Sequence, residues 1–325
     1  MYSKQSGEVR RIYQTMELIE GVALSELCDY SFGDQAGQWG GIHTHFMKDA
    51  NLMNTEFVNK VFEIKKSRDY MTLFIDNIRL YNRKIEEVKP EDWPIVRAMM
   101  QKSNLLSLCS NFTDMKFIIF TNLEDTPIDK HIFTCLPSNV LRVCAANSVV
   151  WGQKVIPAPY GVQRRMSPSD DRIEVLKSHM DKEKSKVPRS FRLLYVGINE
   201  NSHEERKGLT QQFIDEPWAT VETQRVDFET YLDRMWRCKF VLCPRGNAID
   251  CHRNWEAVYM RRVPVMKRHS YLQKLYEDYP VLWVDDYSEV TEQFLIDNNQ
   301  LFLDAQEVDI SSLDLNTYFD KWKKP

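Results

Sequence analysis

The sequence predicts an α/β protein built as two lobes, each organised around a largely parallel sheet. Three observations lead there. Short β-rich runs alternate with helical segments along the chain, the pattern that parallel strands with crossover helices impose. The 325 residues exceed one ordinary domain and fit two. A charged, proline-flanked stretch from Arg164 to Arg189 interrupts the alternation near the middle.

In the first lobe, Gly21 to Cys28 reads as the opening strand, and a polar, glycine-rich loop follows from Asp29 to about Gly41. Asn54 to Lys65 reads as a helix and Met71 to Ile75 as a second strand. Pro90-Glu-Asp-Trp93 opens a helix running to about Leu108, with the acidic first turn that the helix dipole favours. Lys116 to Phe120, Val140 to Cys144 and Lys154 to Ile156 are the remaining strands. The span 164–190 reads as a linker with a solvated helix, which sets the lobes at 1–163 and 191–325. In the second lobe, strands are expected at Phe191 to Val196, Lys239 to Cys243, Val263 to Met266 and Val281 to Val284. Helices are expected at Phe228 to Arg237, Ile249 to Arg262 and Ser288 to Asn298, with a terminal helix that packs back onto the first lobe.

Composition narrows the function classes. Hydrophobic residues make up 43% of the chain and aromatics 12%, enough for a packed core in each lobe. The net charge of -4 argues against a general nucleic-acid binder, because phosphate-backbone affinity needs clustered Lys and Arg. The first ten residues carry no apolar run, so no signal peptide is expected, and no stretch approaches the roughly 18 apolar residues of a membrane span. The seven cysteines lack C-x-x-C spacing and read as buried free thiols in a reducing, cytoplasmic setting. No D-x-D triplet is present to chelate a metal with a diphosphate, and neither a P-loop nor a G-x-S-x-G elbow occurs.

The most informative segment runs from Phe240 to Met266: a buried strand, the loop Cys243-Pro-Arg-Gly-Asn247, a helix start and a Val263-Pro-Val265 strand. Pro244 stops the ladder and Gly246 lets the backbone approach a ligand. Asp250 reads as the helix N-cap. The free N–H groups and positive dipole end of that helix suit a phosphate. Helical spacing places His252 and Glu256 on one face, with Arg253 beside them. One turn thus offers a forked cation for a diphosphate, a carboxylate for ribose hydroxyls and an imidazole between them.

This segment resembles the donor-binding block of exostosin-like glycosyltransferases, most nearly the short enzymes of bacteria and large algal viruses that include a viral xylosyltransferase. The likeness covers the last 100–150 residues well and the first half weakly. It implies a GT-B fold of two Rossmann-like lobes with a cleft between them, and inverting transfer without a catalytic metal or other cofactor. It also implies a UDP-sugar donor, with UDP-xylose the best reading, and an oligosaccharide or glycoprotein glycan as acceptor. Carried over, Arg253 holds the diphosphate and Glu256 the ribose, while Arg245, Gly246 and Asn247 line the donor loop with His252. Arg206, in the stretch Tyr195 to Gly208, faces the diphosphate from the other side. The chain departs from the family at Arg261-Arg262, where a small residue and Gly or Cys are usual. The same order of polar loop, Glu-bearing helix and V-P-V strand is similar to that of fucosyltransferases, which use GDP-fucose. A sugar-binding subunit without catalysis is the third reading.

An inverting transfer needs a base for the acceptor hydroxyl. The loop after the first expected strand supplies Asp29, Asp34 and His43, with Asp34 favoured because glycine flanks its loop. His43 and His45 have no third ligand placed by sequence, so no metal site is expected.

Overall fold

Among the described residues, two five-stranded sheets, all parallel, carry the chain. The computed structural model describes residues 16–19, 21–32, 55–75, 80, 105–122, 125, 127–163, 171–182 and 192–325. These fall into two bodies. The first is Ile19–Tyr160 with Leu315–Pro325; the second is Gly161–Asp314 with the described residues before Ile19. The α/β class with two parallel sheets is therefore as the alternation predicts.

In the first body, α1 (Gly21–Leu27), β1 (Tyr30–Ser31), α2 (Thr55–Lys65), β2 (Tyr70–Ile75) and α3 (Leu105–Cys109) are followed by β3 (Lys116–Thr121), α4 (Ile132–Cys135), β4 (Val140–Ala145) and β5 (Val155–Pro157). The strands lie in chain order, β1-β2-β3-β4-β5. Met71, Leu73, Phe117, Ile119 and Val143 point to one face and form a core with Phe57 and Val61 of α2 and Leu105 and Leu108 of α3. This is the near-continuous apolar burial that a parallel sheet covered on both faces requires. The terminal helix α12 (Leu315–Trp322) returns to this body. Its Phe319 ring lies 5.1 Å from Phe120 of β3.

One element changes type. Gly21 to Cys28, expected as a strand, is the helix α1, and the strand is the short Tyr30–Ser31 beyond it. The buried positions Gly21, Leu24 and Ser25 recur at three to four residues, so one face of a helix is covered. A run of seven residues without a cap signal reads equally as strand or helix, and packing against α12 decides it. The helix expected from Pro90 lies outside the described residues apart from its end, α3.

The second body contains α5 (Arg172–Lys182), β6 (Arg192–Val196), α6 (Leu209–Phe213), β7 (Ala219–Val221), α7 (Phe228–Trp236) and β8 (Cys238–Leu242). It continues through α8 (His252–Tyr259), β9 (Val263–Lys267), α9 (Ser270–Leu275), β10 (Leu282–Val284), α10 (Glu292–Asp297) and α11 (Asn299–Glu307). The strand order is β10-β9-β8-β6-β7. Successive strands run to one side from β6 and to the other from β8, so the order reverses between these two neighbours. Open α/β sheets bind ligands beyond the carboxyl ends of their strands at such a reversal.

On one face, Leu194, Val196, Phe240, Leu242, Val263 and Val265 pack with Leu209 and Phe213 of α6 and with Leu295 and Phe302 of α10 and α11. On the other face, Tyr195 meets Tyr231 of α7 edge-on at 5.6 Å. The helix within the expected linker is not merely solvated. Leu176, His179 and Met180 of α5 are buried, and the His179 Nε2 lies 3.0 Å from an Asp233 oxygen on α7. The single helix expected from Ser288 is two pieces. Asp286 and Glu289 form a capping box on the 3-10 turn Tyr287–Glu289, and Thr291 then caps α10.

Arg261 follows the end of α8 with φ 53°, the left-handed conformation that commonly terminates a helix and favours glycine. Its carbonyl accepts from Gln306 Nε2 at 2.9 Å, and Arg262 Nε donates to the Trp236 carbonyl at 3.1 Å. These bonds hold the turn at the Arg261-Arg262 pair. Among the described residues, no helix is long and apolar enough to cross a membrane.

His269 caps α9: its Nδ1 accepts from the Tyr271 N–H at 3.2 Å. Burial lowers its pKa, the Arg245 charge lowers it further, and Glu205 opposes both. A folded pKa below the unfolded value of about 6.5 means stability is complete above that pH and declines as pH falls below it. The urea midpoint is expected to drop between pH 7.5 and 5.5 by a component absent in His269→Asn, whose amide oxygen caps without titrating. Parallel pH profiles for the two proteins would refute this role.

Candidate functional site

At the reversal point, two loops leave adjacent strands: Gly197 to Gly208 after β6 and Cys243 to Cys251 after β8. Arg206 joins them. Its Nε donates to the Arg245 carbonyl at 2.8 Å, one terminal nitrogen to the Pro244 carbonyl at 2.9 Å and the other to the Asn199 carbonyl at 3.4 Å. With 6% exposure, it is a buried cation whose bonds among the described residues all go to carbonyls or to the Cys251 sulfur. Its pKa is lowered, first by burial and then by the charge of Arg253. Arg206 is thus within electrostatic reach of Arg253, and its bonds pin the Pro244–Arg245 loop to the loop after β6.

The glycines follow from this packing. A Cβ on Gly246 would sit 3.2 Å from the Arg206 guanidinium, so a side chain there would press on the pin. A Cβ on Gly197 would come within 2.6 Å of the Tyr195 hydroxyl, closer than real Cβ contacts allow.

Asp250 is not the N-cap of α8. Cys251 occupies that position without a side-chain cap bond. Asp250 is fully buried and accepts from the Cys251 N–H at 3.0 Å, Asn254 Nδ2 at 3.1 Å, Trp255 Nε1 at 2.6 Å and the Tyr276 hydroxyl at 2.6 Å. It anchors the loop against the stacked Trp255 and Tyr276 rings, whose centroids are 4.5 Å apart.

Arg253 is half-buried on the first turn of α8. It donates to the Gly197 carbonyl, and its Nε is buried with no partner among the described residues. Burial works against its charge, and the surrounding Tyr231, Cys243 and Glu256 outweigh burial and raise its pKa. The Tyr195 hydroxyl and Glu222 Oε1 are likewise buried without partners. Glu256, 4% exposed, accepts from the Tyr231 hydroxyl at 2.8 Å. His252 Nδ1 lies 2.8 Å from the Gly161 carbonyl, which ties the imidazole to the segment entering this body. Arg245 curls over its own loop toward the carbonyls of Gly246 and Asn247, and Asn247 is exposed. Burial pushes up the pKa of the Cys243 and Cys251 thiols, so neither supplies a ready thiolate.

The structure therefore gathers Arg206, Arg245, Gly246, Asn247, Arg253 and Glu256 around one end of the second sheet, with His252 beside them. Tyr195, Glu222 and Tyr231 are not among the site residues that the sequence singles out. They come from β6, the end of β7 and α7, and only strand pairing and helix packing bring them to α8. The strand β7 itself, three residues long, carries too short a pattern to be read.

Of the three candidate bases, Asp34 and His43 lie outside the described residues. Asp29 has a structural task. Its Oδ2 accepts from the Thr72 N–H at 2.7 Å and the Thr72 hydroxyl at 2.8 Å, and its Oδ1 pairs with Arg68. With both oxygens engaged, Asp29 clasps the start of β1 to β2. No model of a known protein family matches the sequence, and no curated protein matches it.

Removal of the buried Asp250 carboxylate leaves an indole N–H and a tyrosine hydroxyl without their acceptor. Asp250→Ala is expected to cost about 2–4 kcal/mol of stability in urea denaturation. A loss under about 1 kcal/mol would show that the carboxylate does not hold the loop.

Proposed function

We propose that this chain is an inverting, metal-independent glycosyltransferase that moves a sugar from a UDP-sugar, with xylose the best reading, to a glycan hydroxyl. The GT-B arrangement and a cytoplasmic setting belong to the same proposal; the cysteines, all unpaired, agree with a reducing compartment. One observation carries the reading. At the β6–β8 reversal, Arg206 and Arg253 bring two guanidinium charges together, and neither bonds a carboxylate among the described residues. A carbonyl or thiol partner leaves the positive charge in place, so the site favours an anion. A phosphate about 4 Å from such a charge gains about 4 kcal/mol at an effective dielectric near 20, against about 1 in bulk water. The start of α8 adds its dipole in the same sense.

In the transfer proposed, the acceptor oxygen attacks the anomeric carbon of the donor while the bond from that carbon to the diphosphate oxygen breaks. The hydroxyl proton passes to a base, for which Asp34 or His43 stands, and inversion follows from attack opposite the leaving group. Arg253 and the α8 N-terminus carry the charge that develops on the departing diphosphate. Arg206 keeps the loop in register for this, and Glu256 takes the ribose.

The test is titration calorimetry with UDP and GDP. Arg253→Ala and Glu256→Ala are each expected to weaken nucleotide binding at least tenfold, about 1.4 kcal/mol, without lowering the unfolding midpoint enough to unfold the protein. A chelator is expected to leave both binding and transfer unchanged. Unaltered affinity in both variants would remove the donor site from this position.

A further inference from the structure

Within the donor site just proposed, on which this inference rests, we infer that Tyr231 is the positioning residue that aims Glu256 at the nucleoside's ribose and so sets the preference for ribonucleotides. The Tyr231 hydroxyl donates to Glu256 Oε2 at 2.8 Å. That bond crosses from α7 to α8 and fixes one oxygen of a carboxylate that is 4% exposed. The Glu256 carboxylate accepts no other hydrogen bond among the described residues. Its second oxygen is the one left to accept from a ribose hydroxyl.

Tyr231 is itself held on two sides. Its ring stacks on Phe228 at 5.7 Å and 20° and meets Tyr195 edge-on at 5.6 Å. The Arg172 guanidinium lies 4.6 Å from the Phe228 ring on the far end of this row. A phenol gripped in this way has little rotational freedom left to lose when it directs a carboxylate, which is what preorganisation of a binding group demands. Burial, and next the Glu256 charge, raise the Tyr231 pKa well above its ordinary value, so the hydroxyl keeps its proton near neutral pH and acts as a donor. Without it, the Glu256 side chain would lose its one fixed contact and sample rotamers that do not face the ligand.

The decisive comparison uses UDP or GDP, whichever the native protein binds more tightly, its 2′,3′-dideoxy analogue and inorganic pyrophosphate. The native protein is expected to prefer the ribonucleotide by about tenfold or more, the range of a hydrogen bond to a charged group. Tyr231→Phe keeps the stacked ring and removes only the hydroxyl; it should cut that preference to about threefold or less while pyrophosphate affinity stays within twofold. In a Glu256→Ala background, Tyr231→Phe should alter the preference no further, since the interaction it removes is already gone. Glu256→Asp, which draws the carboxylate back by one methylene, provides a second route to the same loss. A Tyr231→Phe protein that keeps the full preference, or that loses ribonucleotide, dideoxynucleotide and pyrophosphate alike, overturns the inference and leaves the donor site standing. A native protein that binds none of the three ligands overturns the donor site and this assignment with it.

Discussion

The guanidinium of Arg206 bridges the two loops that leave β6 and β8. These strands are neighbours in the sheet although more than forty residues separate their starts, Arg192 and Cys238. Parallel pairing brings their carboxyl ends together, and a rigid fork with donors on every side is suited to joining two sets of carbonyls. This choice has an electrostatic consequence. Carbonyl dipoles solvate the charge but do not cancel it, and the nearby Arg253 adds a second positive charge at the same place. The loop is therefore ordered by a group that also makes an anion welcome. A carboxylate at the same position, an acceptor only, could not bond these carbonyls and would leave the loop unpinned.

Below this end of the sheet the body is conventional. Aliphatic side chains of alternate strand positions bury one face under α6, α10 and α11. The other face changes character toward its carboxyl edge, where Tyr195, Tyr231 and Glu256 replace aliphatic residues. Buried polar groups of this kind are costly when unsatisfied. Several here have no partner among the described residues: the Tyr195 hydroxyl, Glu222 Oε1 and Arg253 Nε. Asp250, by contrast, is saturated with donors and carries the mechanical task of the loop. The polar residues of this region thus divide into those that hold the backbone and those left over for something else.

How much of this is legible in the sequence depends on how local the cause is. The strands Met71 to Ile75, Lys116 to Phe120 and Lys239 to Cys243 stand out because each is a dense apolar run, and the structure puts strands there within a residue or two. The loop Cys243 to Gly246 and the turn bearing Arg253 and Glu256 are equally local, since a proline, a glycine and helical spacing define them. Gly21 to Leu27 was misread because a short apolar stretch takes its type from what covers it, and its cover, α12, lies nearly three hundred residues on. Asp250 was assigned the cap that its chemistry favours, yet its partners Trp255 and Tyr276 draw it into the core. Arg206 and Tyr231 are the instructive cases. Each sits in an unexceptional helical turn, and only the pairing of β6 with β8 and the packing of α7 beside α8 give it a role.

The most direct test of a diphosphate site at the β6–β8 reversal is a crystal structure of the protein with UDP. The account predicts phosphate oxygens within hydrogen-bond distance of Arg253 and the first amides of α8, with Nε of Arg253 satisfied for the first time and Arg206 still bound to Pro244 and Arg245. A nucleotide bound elsewhere, with this end of the sheet unchanged, would contradict it.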